Sequence, residues 1–340
     1  MSAALKLSRE TILAFRRWSG ALDERLPSGP EGLRRAAWAG LQDSVPRSAL
    51  HSLHARVSEV APDGWEDPSL VQVWGLRYTA NVVPAGDHAP FTLGRLPDAG
   101  SMRQRAEDLA QRIHAQLDGR RLDAREAARE LHLRDANELR YAALTGTVLI
   151  RWDGSHQPFV WTVPPPGTEP VKARAELARR FLHTFGAGTV ETFGRWAGVK
   201  PVPASATFDA LASSLLPVRT PIGVASMLAE DEPMMTAVSG PPAAARLLPS
   251  GDTYVLAWGA DRELLVADRH HRALLWTTRV WPGAVLVGGE IVGTWRRSNA
   301  LVTVEPWRTL TASERGAVEA EAATLPLPGV PGLGTVRWAD

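Results

Sequence analysis

Gln42, Asp43 and Ser44 follow a Gly-Leu pair on the shoulder of the apolar, helix-periodic run WAGLQDSVPRSALHSLHAR, residues 38–56. An amide, a carboxylate and a hydroxyl in succession make either a place for polar chemistry or the corner of a turn. The case for a corner is local: Asp or Ser just before Pro46 is well suited to cap a helix that begins there. Other chemistries are narrowed by what is missing. The chain has no cysteine, so disulfide frameworks, thiolate catalysis and sulfur-dependent zinc sites are excluded. His51/His54 and His270/His271 lack a carboxylate at metal-ligand spacing, and we expect no metal and no cofactor. LVGGE reads as a tight hairpin, since neither the helix nor the glycine spacing of a phosphate loop follows it.

At 340 residues the chain exceeds one ordinary domain. Its 38 Lys and Arg nearly balance 37 Asp and Glu, so total charge does not mark a strongly basic nucleic-acid binder. Distribution says more. Lys6, Lys172 and Lys200 are the only lysines, leaving guanidinium as nearly all the positive charge, although GC-rich coding explains much of that bias. Residues 1–56 hold nine Lys/Arg against five Asp/Glu, and 170–200 hold six against two, which makes both stretches candidate phosphate-facing surfaces. No apolar run approaches the ~20 residues of a membrane span, nor does the start read as a signal peptide, so we expect a cytoplasmic protein with no membrane partner.

The elements that must hold the triplet follow from periodicity. LSRETILAFRRW predicts a helix capped by its Ser and ending near Gly20; 31–57 predicts helix with a break around DSVPR, which places the triplet at a helix-to-helix corner. LVQVWGLRYTANVVP, 70–84, predicts a strand or a hairpin centred on its Gly and Arg. LDAREAARELHL, with Asp123 as cap and Glu126 as its capping-box partner, and RDANELRYAAL predict two helices, followed by two strands around Asp153-Gly154-Ser155-His156. Helix, turn, helix, hairpin is a winged-helix order. It returns over 171–228, with Thr189 capping a short helix, and the first ~90 residues fit it loosely. From 253 onward TYVLAWG, ELLVADR, ALLWTTR, AVLVGGEIVGTWRR and ALVTVEPWRTL predict short β segments, and ERGAVEAEAATL a closing helix. The expected fold is therefore α+β: tandem winged-helix (helix-turn-helix) units at 1–95, 96–165 and 166–248, then a small β-barrel-like C-terminal domain with a terminal helix at 249–340.

Six stretches in order, GLQ with PRSALHSLHARV, WGLRYTANVVPAGD, ARAELARRFLHTFG, FGRWAGV, ARLLPSGDTYVL and VLVGGEIVGTWRR, resemble the AlkZ-like winged-helix DNA glycosylases. The resemblance covers nearly the whole chain. It implies tandem winged helices and a β domain forming a C-shaped channel, with double-stranded, damaged or alkylated DNA as partner, base flipping, and hydrolysis of the N-glycosidic bond by a monomer. The family's catalytic pattern is Gln, a hydrophobic residue, then Gln or Asp after Gly-Leu. Gln42 matches the first position, while Asp43 fills the hydrophobic slot and Ser44 the second functional one.

Three readings of the triplet then stand open. Gln42 and Asp43 form a working pair with Asp43 as base; Gln42 and Ser44 bind DNA without cutting; or Asp43 and Ser44 cap the following helix. No lysine lies in the motif, which argues against Schiff-base lyase chemistry there. Candidate DNA contacts are Arg47, Arg77 and Tyr78 beside the motif, Asn137 and Arg140 on one face of a recognition-type helix with Tyr141, and Arg296 and Arg297 on a C-terminal strand. Trp74 is expected in the core, and Arg77 is expected to meet a phosphate or Asp43. The alternative function is a non-catalytic DNA-binding or regulatory protein with a degenerate motif.

Overall fold

The computed structural model describes residues 5–45, 47–238 and 244–339. The first helix spans Arg9–Ser19, its N-terminus closed by the Ser8 side chain accepting from the Thr11 amide. The next stretch departs from expectation: between helices Pro30–Ala36 and Ser48–Arg56 runs a two-residue strand, Leu41–Gln42. Gly40 sets this up. Its φ of 78° turns the chain out of the helical region, and a Cβ there would lie 2.6 Å from the Phe91 ring. Leu41 and Gln42 then pair with Val82 and Asn81, so Gln42 stands on a sheet edge and not at a helix-to-helix corner. Pro46, on which the expected corner turned, lies outside the described residues.

The hairpin expected over 70–84 forms as strands Leu70–Trp74 and Ala80–Pro84. Its loop holds Arg77 and Tyr78 in succession at φ of 51° and 62°. Two consecutive side-chain-bearing residues in the left-handed region are strained and persist only where surrounding contacts fix them. A second hairpin, Val148–Arg151 with Phe159–Thr162, flanks the Asp153 turn. Through Gln72 opposite Ile150 the two hairpins merge into one six-stranded sheet, with Leu41–Gln42 at one edge and Leu122–Asp123 at the other.

Behind this sheet lie helices Ser101–Leu117 and Ala124–Glu130, the latter capped by Asp123. The expected helix RDANELRYAAL is present as a 3-10 helix, Ala136–Thr145. At three residues per turn, Asn137 and Arg140 align while Tyr141 falls off their line. Helices Pro170–Phe185, Val190–Ala197 and Pro201–Ala210 follow as expected, the second closed by a Thr189–Thr192 capping box. The chain next forms strands Leu215–Thr220 and Gly223–Leu228, against which Leu5–Lys6 adds a parallel edge.

The C-terminal part corrects the barrel expectation. Among the described residues its sheet is open, in the order Arg246–Leu248, Gly283–Val287, Glu290–Ser298, Leu301–Pro306, Thr335–Trp338. TYVLAWG, ELLVADR and ALLWTTR hold helical turns, Thr253–Val255, Asp261–Leu265 and Arg269–Leu275, where strands were expected. Short apolar runs fit a buried helix as well as a strand, and here Asp252 and Asp268 tip the balance by accepting from the Tyr254 and His271 amides. The closing helix Ala312–Ala323 is present. No helix among the described residues is long and apolar enough to cross a membrane.

The turn at Gly40 gives a direct check on how the Gln42 strand is held. Gly40→Ala should destabilise the protein by about 1–3 kcal/mol, from a positive φ and an overpacked Phe91 contact, which urea unfolding of the two proteins measures.

Candidate functional site

Successive residues of an extended chain point to opposite sides, and the triplet obeys that rule. Gln42 and Ser44 share one side: the Gln42 Nε2 donates to Ser44 Oγ at 2.6 Å, and its Oε1 accepts from Arg77 Nη2 at 2.8 Å. Ser44 is exposed and Gln42 half-buried. Gly251 presses on the amide from across the fold; a Cβ there would stand 3.0 Å from Gln42 Nε2. The Gln42 carbonyl accepts from Ser48 Oγ at 2.8 Å, tying the strand to the next helix.

Asp43 points the other way and is wholly buried. Its Oδ1 accepts from the Ala49 amide at 3.1 Å and its Oδ2 from Gln72 Nε2 at 2.9 Å, with Arg47 Nη1 3.7 Å from Oδ2. Ala49 is the second residue of helix Ser48–Arg56, so the carboxylate serves the orphan amides of that helix start. Burial pushes the Asp43 carboxyl up to about 6, against the pull of Arg47 and the two hydrogen bonds. Gln72 Oε1 accepts from the Trp152 amide at 2.7 Å, and Arg47 Nη2 donates to the Trp152 carbonyl at 2.7 Å. Asp43, Gln72, Trp152 and Arg47 thereby close a ring of polar contacts. The pairing of Gln42 with Asp43 is corrected by this geometry: the two side chains share no partner, and Asp43 caps. Arg47 is likewise enclosed, 8 % exposed, with its guanidinium 3.7 Å from the Trp65 ring centre.

Arg77 is half-buried and does not meet Asp43. Besides Gln42, its Nη1 donates to the Trp196 carbonyl, and its guanidinium lies 5.4 Å from the Trp258 ring centre. Burial lowers its pKa to about 10, which leaves it cationic at neutral pH. Arg95 Nε donates to the neighbouring Ala197 carbonyl at 2.8 Å, and its Nη1 to that of Gly75. Two guanidinium groups therefore satisfy the carbonyl end of helix Val190–Ala197, where the dipole favours positive charge. These contacts hold the strained 77–78 loop and, through Arg77, orient the Gln42 amide. Tyr78 is half-buried, edge-on to Tyr141 at 5.5 Å and 4.6 Å from the Arg95 guanidinium. Trp74 is 4 % exposed in the core, as expected.

The remaining sequence candidates lie apart from Gln42. Asn137 is exposed and bonds its own capping residue, Asp135, at 2.8 Å. Arg140 is half-buried and reaches the Tyr78 carbonyl at 3.4 Å. Arg296 is exposed, 3.3 Å from the Val280 carbonyl, whereas Arg297 is half-buried and donates to Asn299 at 2.6 Å. Sequence reasoning missed Gln72, Gly251 and Trp258. A signal existed for Gln72: it is the one polar residue inside the apolar run LVQVW. Among the described residues no group of three His, Asp or Glu is placed to hold a metal ion.

A paired amide and hydroxyl, fixed by a half-buried guanidinium on a mixed α+β frame, is the equipment of a protein that orients a polar ligand or a water. Residues 35–326 match the family described as DNA glycosylase AlkZ-like, and the chain belongs to that family. Its substrate class is accordingly DNA. An interstrand DNA cross-link repair glycosylase of Streptomyces sahachiroi is 23% identical over 365 aligned positions, 94% of this chain and 96% of that protein. The solved structure of the Streptomyces sahachiroi DNA glycosylase AlkZ superposes with a TM-score of 0.80 at 22% identity, covering 98% of this chain and 100% of that one. Identity so low shows the shared fold alone.

The capping role of Asp43 has a measurable pH signature. Its folded pKa of about 6 lies above the ordinary 3.8, so the native state keeps a proton that the unfolded chain has lost across roughly pH 4–6. The stability this group contributes is full below pH 4 and falls as pH rises through 6. Asp43→Asn should remove that slope from urea-derived stability, and Asp43→Ala, which strands the Gln72 and Ala49 donors, should cost about 1–3 kcal/mol.

Proposed function

We propose that the protein is a monofunctional DNA glycosylase that releases cationic, alkylated purines from double-stranded DNA by hydrolysis, with Gln42 and Ser44 as its working pair. The observation that carries this reading is the Gln42 amide, held between Arg77 and Ser44 on the open side of the strand while the neighbouring carboxylate faces inward. Ser44 accepts from Gln42, so its own proton and its remaining lone pair stay free to hold a water. The amide dipole of Gln42 stands beside the same spot and favours developing positive charge on the sugar.

The chemistry suits such a modest site. In an N7-alkylated purine nucleotide the base already carries a positive charge. The C1′–N9 bond breaks with its electron pair going to the base, which leaves neutral; the oriented water adds to the cationic C1′ and gives its proton to solvent. No general base is required to drive departure. Neutral lesions lack that activation and should be poor substrates. With no lysine in the motif, the product is an intact abasic site and not a cleaved strand.

DNA would be gripped as a monomer by winged-helix units at 1–95, 96–165 and 166–248, with Tyr78, Asn137, Arg140, Arg296 and Arg297 as contacts at their exposed or half-buried positions. Cross-linked DNA, named for the relative, is a substrate to assay beside simple alkylated duplex. One observation favours a second reading, a DNA-binding protein that does not cut: Ser44 fills the slot where the family places a longer amide or carboxylate, and its hydroxyl reaches less far.

The test is single-turnover base release from duplex DNA carrying N7-methylguanine, at equal DNA occupancy, for wild type, Gln42→Ala and Ser44→Ala. Release by wild type that falls about tenfold or more in both variants, with binding intact, is expected; each lost hydrogen bond to the reacting centre is a contribution of the order seen for oriented donors. Tight binding by wild type with no release from methylated or cross-linked duplex would favour the non-cutting reading.

A further inference from the structure

A cavity of about 770 Å³ whose walls do not include Gln42 has its own chemistry. Its walls include Trp18 from the first helix, Trp38 from the turn before the Gln42 strand, and His183 from helix Pro170–Phe185. The His183 ring is the hub: Trp38 meets it edge-on at 5.4 Å and Trp18 at 6.0 Å. Trp18 is 41% exposed, an unusual position for a residue whose burial is worth so much. Exposure there keeps an aromatic surface open to the cavity.

The polar side of the cavity is equally organised. His183 Nδ1 lies 2.8 Å from Asp231 Oδ1. Asp231 is 5% exposed, and its Oδ2 has no hydrogen-bond partner among the described residues. A buried carboxylate with an oxygen left unmatched is costly unless it serves a neighbour. Here the contact turns Nδ1 to the carboxylate, and Nε2 has no hydrogen-bond partner among the described residues on a half-exposed ring in the cavity wall. The exposed Arg35 supplies positive charge to the same cavity, whereas Arg25 is paired with Glu321 at 2.8 Å and Asp23 and Glu24 also line the wall.

The cavity also adjoins the proposed reaction site along two segments. Trp38 precedes the Gln42 strand by three residues, and Thr253, another wall residue, donates from Oγ1 to the Gly40 carbonyl at 3.2 Å, two residues after the Gly251 that abuts Gln42.

We propose that this cavity binds a purine nucleobase, its plane against Trp18 and Trp38 and one of its N–H donors on His183 Nε2. Planar heteroaromatic shape satisfies the indole walls, and a ring N–H or amino group satisfies Nε2. The base reaches the cavity either still attached to the strand, with Arg35 near its phosphate, or as the freed product. The choice of a nucleobase rests on the reading of Gln42 as a site that acts on DNA, but base binding is measurable without any base release.

The probe is 2-aminopurine, whose fluorescence is quenched on stacking, titrated as the free base and within a duplex opposite an abasic site. Saturable quenching is expected in at least one arm. It should weaken about tenfold or more in Trp18→Ala and in His183→Ala. Quenching of the free base marks a product site; quenching only in the duplex marks a strand-attached one; both support the proposal. Absence of saturable quenching in both arms, or equal affinity of wild type, Trp18→Ala and His183→Ala, overturns it. Trp18 is exposed enough to be truncated without opening the core, so that variant reports on binding and not on folding. Loss of glycosylase activity with base binding retained would sink the proposed reaction and leave the cavity assignment standing.

Discussion

Two residues of strand pairing, Leu41 with Val82 and Gln42 with Asn81, set the character of the site. Once the backbone is extended there, the period-two alternation sends Gln42 and Ser44 to one side and Asp43 to the other. The same three residues on a helix would splay about 100° apart in sequence, and no pair of them would meet. The strand therefore turns a polar triplet into two separate devices. One is an open amide–hydroxyl pair, and the other is a buried carboxylate that starts a helix.

Each device is anchored by arginines that never reach the surface freely. Arg77 joins the Gln42 amide to the carbonyl end of helix Val190–Ala197, and Arg95 bonds the next carbonyl of that helix and the Gly75 carbonyl. On the opposite side Arg47 bonds Trp152, stands by Asp43 and covers Trp65. The strain of left-handed Arg77 and Tyr78 is offset by these bonds, so the position of the Gln42 amide is coupled to the packing of an element more than a hundred residues away in sequence. Arginine suits this use, because its planar fork makes several directed bonds at once and keeps its charge when buried.

Much of this was legible in the sequence, and the misses have physical causes. Capped helices such as Arg9–Ser19 and Val190–Ala197 announced themselves through Ser8 and Thr189, and both hairpins through alternation around turn residues. The Gln42 strand was hidden because two residues carry no periodicity; the pairing with Val82 and Asn81, and the Gly40 turn beside Phe91, are made between distant residues. ELLVADR and ALLWTTR read as strands, yet overlap helices Asp261–Leu265 and Arg269–Leu275, because short apolar-rich runs fit either state until tertiary contacts choose. Local sequence did offer the capping role of Asp43, but as one of three readings. Choosing among them required Gln72 and Ala49, whose approach to the carboxylate is a tertiary fact.

The central claim is that Gln42 and Ser44, and not Asp43, face the reaction. Its most direct test is the pH–rate profile of single-turnover N7-methylguanine release between pH 5 and 8, for wild type and Asp43→Asn. An inward-facing carboxyl with a pKa of about 6 predicts coincident profiles with no inflection near that value. A wild-type rate that falls tenfold per pH unit below 6, with both the inflection and the activity lost in Asp43→Asn, would make Asp43 the general base and contradict the account.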